Sequence, residues 1–243
     1  MGNLDLSGAL GKKFGAHYKI CVGGKTVSYC YIRKNACSAF KVMFTELSDV
    51  KVEPGESELK FMNRAHLAGI EDVISSDYRV CILRDPVERM VSLYQNKFLN
   101  KNGNSDIFKS YVNVTGLDPD AASFYDFVSL YLANAGDRLD PHARSQLSHL
   151  MPIQYNSALM MPNIMDGMGS VIGFDRSVRF FKNKKNSTSG ITNVDRDLSK
   201  TPASKIISMK VMPGLQDLCC AEAKETIVSL YSGDYRAIEQ YIP

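Results

Sequence analysis

The residues best equipped for chemistry fall in two short runs, each at the turn between an apolar segment and an amphipathic one. The first is Arg33-Lys34-Asn35-Ala36-Cys37-Ser38. It follows the β-branched and aromatic stretch 27–32 and precedes Phe40, Met43, Phe44 and Leu47, spaced i, i+3, i+4, i+7. That pattern predicts a strand, a tight turn and a helix. Such a turn aims free backbone N–H groups at one point and favours an anion there. Lys34 adds a mobile positive charge and Ser38 a hydroxyl. The second run begins at Arg84. An apolar strand at 80–83 leads into it, and Asp85, Pro86 and Glu88 read as an N-cap, a first helical residue and a capping box. Val87, Met90, Val91, Tyr94 and Phe98 supply the apolar stripe of the helix that follows. Arg84 therefore sits at the carboxyl end of a strand, where open α/β sheets bind ligands. Two basic turns, one sheet crossover apart in the chain, fit a ligand with two anionic points, such as a nucleotide phosphorylated at both ends of its ribose. The competing interpretation is a solvated Lys34 and an Arg84 paired with Asp85 or Glu88.

These turns need elements to hold them. Residues 1–26 read as a polar, glycine-rich lead-in, and 27–243 as a single domain without repeats. Gly24-Lys25-Thr26 ends like a nucleotide-binding P-loop. The full pattern needs glycine five residues earlier, where Lys19 stands, and the segment precedes its strand, so it is rejected. Residues 48–59 form a charged loop, and 61–73 a short helix carrying His66. Residues 100–118 read as a loop, 118–135 as a helix, and 137–150 as a polar stretch with His142, Arg144 and Gln146. Met160, Met161, Met165 and Met168 fill core gaps from a loop-like stretch. A short strand is expected at 171–174, a helix capped by Asp175 to 182, a polar loop at 182–204, and helices at 214–231 and 234–241. Strands alternating with helices give an α/β class with a mostly parallel sheet and helices on both faces.

The chain has 243 residues, 44% hydrophobic, enough for one large core. A net charge of +3 is too small for a general nucleic-acid coat and compatible with a local basic pocket. The six cysteines show no metal-ligand spacing, and reduced thiols are expected. No apolar run reaches membrane-span length. The expected compartment is cytoplasmic.

The same residues carry a resemblance. Lys34-Asn35-Ala36-Cys37-Ser38 resembles the phosphosulfate loop of sulfotransferases, and Arg84-Asp-Pro-Val-Glu-Arg-Met-Val-Ser-Leu-Tyr resembles their 3′-phosphate motif. The match is closest to carbohydrate sulfotransferases of the Golgi-type and bacterial group, which implies a bacterial source, with the Golgi lumen as the alternative compartment if an anchor has been removed. Weaker matches follow in the right order at Asp140-Pro-His-Ala-Arg-Ser-Gln, Val171-Ile-Gly-Phe-Asp and Leu230-Tyr-Ser-Gly-Asp-Tyr. Arg33 stands where the family has proline, and Asp175 and Arg176 stand where a glutamate is usual. The resemblance implies a P-loop-like three-layer fold with a mostly parallel central sheet flanked by helices. It implies a sulfotransferase using 3′-phosphoadenosine 5′-phosphosulfate as co-substrate and no metal, acting on a hydroxyl, or less readily an amine, of a carbohydrate or other small acceptor. Arg33 to Ser38 would hold the 5′-phosphosulfate, with Lys34 neutralising the leaving phosphate. Arg84 and Ser92 would bind the 3′-phosphate. Cys37 as a nucleophile has no partner histidine indicated.

Transfer also needs a base for the acceptor proton. His66 lies between the two motifs, at a place resembling the catalytic histidine of heparan 2-O-sulfotransferases, and is favoured. His142 is second, and Glu56, Glu58 or Glu71 stay open. Lys182, Lys184 and Lys185 form a basic cluster that is either a solvated loop or, by the resemblance, a lid over the donor together with Asn193. Two rivals remain: a nucleotide-binding module without catalysis, and a P-loop kinase-like phosphotransferase, which lacks its Walker lysine and metal-holding aspartate here.

Overall fold

A computed structural model describes residues 14–182, 194 and 196–242. In chain order it has β1 (His17–Val22), β2 (Lys25–Cys30), α1 (Cys37–Leu47), α2 (Glu58–Ala65), α3 (Ile70–Ser75), β3 (Tyr78–Leu83), α4 (Pro86–Tyr94) and α5 (Ser105–Thr115). There follow α6 (Phe124–Asp126), β4 (Ser157–Met160), α7 (Ile164–Ile172), α8 (Phe174–Phe181), α9 (Ala203–Ser208), α10 (Leu215–Leu218), α11 (Ala221–Leu230) and α12 (Ser232–Tyr241). The chain divides into two compact units. Unit 1 contains 14–84, 146–182 and 237–242; unit 2 contains 85–145, 194 and 196–236.

Unit 1 holds the sheet, in the order β1-β2-β3-β4. β1 is antiparallel to β2, and the β2–β3 and β3–β4 pairs are parallel. Period-2 alternation sends Val27 and Tyr29 of β2, with Val80 and Ile82 of β3, to one face. There they pack on Phe40, Met43 and Phe44 of α1 and on apolar residues of α7 and α8. Cys30, Cys81 and Leu83 face the other way, against Val73 of α3, Leu150, Tyr155 and Ala237. Helices thus cover both faces of a mostly parallel sheet, as the sequence predicts. The Tyr29 ring stacks on Phe40 with centroids 3.7 Å apart and planes 7° from parallel, which fixes α1 against β2. Gly167 lets α7 lie directly on β4: a Cβ there would come within 2.3 Å of Leu159.

Unit 2 is helical. Met90, Leu93 and Tyr94 of α4 join Phe124, Phe127, Tyr131 and Ile227 in its core. Two π-helical segments, Gln95–Leu99 and Phe127–Leu132, extend α4 and α6. Among the described residues no helix is long and apolar enough to cross a membrane.

Several elements differ from the sequence reading. Residues 17–22, read as lead-in, form β1, joined to β2 by Gly23-Gly24 at φ 59° and 76°, a pair suited to a two-residue hairpin. The expected strand at 171–174 is the end of α7, where Ile164, Met168, Val171 and Ile172 form one buried helical stripe. Gly173, at φ 90°, separates α7 from α8, and α8 begins at Phe174, ahead of Asp175. Residues 100–118 contain α5, whose buried Ile107 and Tyr111 are spaced i, i+4. The helix expected from 118 starts at Phe124, where Ser123 and Asp126 form a reciprocal capping box. The segment 61–73 is two helices, because His66 ends α2 with φ −133°. Met160 lies in β4, and Met165 and Met168 on α7.

Candidate functional site

The turn after β2 has an unusual backbone. Lys34 and Ala36 both take positive φ, 71° and 58°, although neither is glycine. Left-handed backbone at a side-chain-bearing residue costs about 1–2 kcal/mol, and such strain concentrates where a loop must aim its groups. Ala36 is the N-cap of α1 and offers no side-chain cap, and the first turn of α1 contains no acidic residue. An eleven-residue helix therefore points its positive end at the loop beside Lys34, with Cys37 and Ser38 in its first turn.

Asn35 holds this geometry. It is completely buried. Its backbone N–H donates to the Ile32 carbonyl at 3.2 Å. Its Nδ2 donates to the Ile82 carbonyl at 2.7 Å and to Gln146 Oε1 at 2.5 Å. Gln146, also fully buried, accepts the Arg84 N–H at 3.0 Å and donates through Nε2 to the Arg84 carbonyl at 2.9 Å. The structure thus brings together, within unit 1, the loop Arg33 to Ser38 and the arginine that ends β3. Asn35 serves there as a brace: its amide hydrogen closes the turn instead of pointing to a ligand.

The two histidines fall in different settings. His66 Nδ1 lies 2.9 Å from the Lys19 carbonyl, which can only accept, so this nitrogen carries the proton. Its Nε2 accepts from the Ser48 hydroxyl at 2.9 Å. The ring sits edge-on to both Phe44 and Phe61, and burial lowers its pKa below the ordinary value. Ser48 follows the last residue of α1, whereas the anion loop precedes the first. Eleven helical residues separate the two ends by about 16 Å. His66 is thus a packed residue at the far end of α1.

His142 belongs to unit 2. Its Nδ1 lies 2.7 Å from Asp140 Oδ1, which also accepts the His142 backbone N–H at 2.8 Å. Asp140 is buried, with its side chain 3% exposed against 22% for His142. A carboxylate at Nδ1 fixes the proton there and leaves Nε2 as the basic nitrogen. The backbone around His142 is pinned: the fully buried Arg89 donates to the His142 carbonyl at 3.1 Å, and the Tyr231 hydroxyl to the Ala143 carbonyl at 2.6 Å. Arg89 thus helps to hold the backbone at His142. α4 has the expected N-cap and first helical residue, with Asp85 accepting the Glu88 N–H at 3.0 Å and Pro86 at the first helical position. Ser92 lies on α4 in unit 2 and is half-buried. Lys184, Lys185 and Asn193, which carry the lid expectation, lie outside the described residues.

Gln146 and Asp140 are the residues that sequence reasoning left without a role. An aspartate two positions before a histidine, with a proline between, is a local signal for Asp140. Gln146 has none, because a buried amide leaves no periodicity.

A strained strand–turn–helix loop without a side-chain N-cap, set on a mostly parallel sheet, defines the class as an α/β protein. Comparison with known proteins narrows it. The model of the sulfotransferase family matches residues 20–237, and the chain belongs to that family. Human carbohydrate sulfotransferase 14 is 26% identical over 129 residues, 47% of this chain and 34% of that protein. Rat carbohydrate sulfotransferase 11 is 31% identical over 94 residues, 34% of this chain and 26% of that protein. Mouse carbohydrate sulfotransferase 14 is 27% identical over 142 residues, 52% of this chain and 36% of that protein. The aligned parts of this chain therefore span about a third of the length of these relatives. No solved structure matches the chain significantly.

Proposed function

We propose that this protein transfers a sulfuryl group from 3′-phosphoadenosine 5′-phosphosulfate to a hydroxyl of a carbohydrate. The observation that carries the reading is the anion loop: two non-glycine residues at positive φ, running into an uncapped helix N-terminus beside Lys34 and braced to Arg84. An acidic first turn or a capped helix would have argued against an anion. The carbohydrate acceptor rests on the names of the similar proteins, carbohydrate sulfotransferases 14 and 11.

The bound donor supplies an activated sulfuryl group and a phosphate leaving group. The chain's own residues do the rest. Backbone N–H groups at the start of α1, with the Ser38 hydroxyl and Lys34, bind the 5′ end and stabilise the charge that grows on the departing phosphate oxygen. Arg84 takes the 3′-phosphate through two parallel hydrogen bonds, and Ser92 adds a second contact. His142 accepts the acceptor's hydroxyl proton at Nε2, with Asp140 stabilising the resulting imidazolium. His66 is left out of the chemistry, since both of its nitrogens are engaged away from the loop.

Melting the protein with and without millimolar adenosine 3′,5′-bisphosphate tests the donor site. A ligand at a hundred times its Kd stabilises by about 2.7 kcal/mol, a rise of several degrees at this size. No rise removes the donor-site reading. Labelled donor offered to a panel of oligosaccharides then tests the acceptor: label on carbohydrate oxygen is expected, and label confined to amines or to non-carbohydrate acceptors overturns it.

A further inference from the structure

The backbone ladders of the sheet stop short of the candidate site. β2 leaves β3 after the Cys30–Cys81 pair, and β4 leaves it after Leu83–Met160. Past these points the carbonyl of Ile82 and both backbone groups of Arg84 are met by side chains instead of strands. Asn35 takes the Ile82 carbonyl. Gln146 takes Arg84 on both sides, accepting its N–H and donating to its carbonyl, as a neighbouring strand residue would. The two amides then join, Asn35 Nδ2 to Gln146 Oε1. A primary amide can accept and donate in this peptide-like way. Both are fully buried, where a broken bond leaves an unsatisfied group.

We propose that Gln146 is a positioning residue that fixes Arg84 relative to the Lys34 loop, so that the two ends of a doubly phosphorylated nucleotide are recognised together. The inference rests on the donor-site reading above. A ligand with one phosphate needs only one of the two points. A ligand with two gains its extra affinity from their being held at a fixed separation before it arrives, and a brace of two short, buried amides supplies that preorganisation. Lys34 adjoins Asn35 in the chain, and Gln146 grips the backbone of Arg84 itself, so neither basic residue can shift its main chain without breaking the network.

The test compares adenosine 3′,5′-bisphosphate with adenosine 5′-monophosphate by calorimetric titration. Wild-type protein is expected to prefer the bisphosphate strongly. Gln146→Met keeps the side-chain length and removes its bonds to Asn35 and to the Arg84 N–H and carbonyl. It is expected to lose at least tenfold of that preference while its affinity for the monophosphate changes less than threefold. A general loss of structure would weaken both ligands alike. Equal weakening, or an unchanged preference, overturns the positioning role and leaves the donor site standing. Wild-type protein that does not bind the bisphosphate overturns the donor reading and this inference with it. Should Gln146→Met not fold, hydrogen exchange in the wild type decides. The Arg84 amide, bonded to Gln146, is expected to slow at least tenfold more with bisphosphate than with monophosphate, and equal protection overturns the proposal.

Discussion

Lys34 carries a charge on a backbone that few residues tolerate. At φ 71° asparagine is one of the few replacements that fits without added strain. Lys34→Asn is therefore expected to melt within about 1 kcal/mol of wild type and to lose about 10²–10³ in kcat, the usual effect of removing one group that stabilises a developing oxyanion. Full activity in that variant would dismiss the proposed mechanism. The two histidines separate in the same way. His142→Gln removes the nitrogen held by Asp140 and is expected to cost about 10²–10⁴ in rate. His66→Gln is expected to keep its rate per folded molecule while losing about 1–3 kcal/mol in urea titration, because a ring hydrogen-bonded at both nitrogens and wedged between Phe44 and Phe61 is replaced. Rates that fall with His66 and hold with His142 would reverse the assignment.

At the level of elements, the site is an exchange of local strain for packing. The turn between β2 and α1 is strained at two residues, and the Tyr29–Phe40 stack with the Asn35 brace holds it in place. Ala36 reports on this. Ala36→Gly relieves the φ of 58° and is expected to be neutral or to stabilise by up to about 1 kcal/mol. Ala36→Val puts a β-branched side chain there and is expected to destabilise by about 2 kcal/mol or more. Thermal unfolding of the pair checks it. Equal stability of the two would mean that the left-handed turn is not present in solution. The strand–turn–helix units at 27–47 and 80–94 were legible because each has its own apolar pattern and a residue suited to its turn. α5 and α7 were not, since Asn, Gly and Ser near α5 and the scattered methionines before α7 mask stripes that only packing reveals.

At the scale of the whole molecule, the family match runs across both compact units; Lys34 and Arg84 belong to unit 1, Ser92 and His142 to unit 2. Stability of unit 1 should depend on pH through His17. This residue is buried, with Nδ1 against the Gly15 carbonyl at 2.9 Å and Nε2 against the Tyr155 hydroxyl at 2.7 Å. Burial, with His149 nearby, lowers its pKa to about 4. The unfolded chain takes up a proton below pH 6.5 that the folded state refuses until about pH 4. Stability is thus full above 6.5, falls across that window by about 3 kcal/mol, and levels off below it. His66, lowered in the same direction, adds to the slope. Urea titrations from pH 7 to 4.5 are expected to show the fall, and a His17→Gln variant a shallower one; parallel slopes would refute the assignment.

The sequence by itself determined the class of fold and the place of the two strand–turn–helix units, through apolar periods and an N-cap, and it carried the family through the resemblance of residues 34–38 and 84–94 to known motifs. Tertiary structure alone decided the rest. It moved His66 to the far end of α1 and made Asn35 and Gln146 a single brace across residues 35, 84 and 146. Hydrogen bonds between residues so far apart in the chain leave no periodic trace in it, because each partner is chosen by where the backbone has already gone.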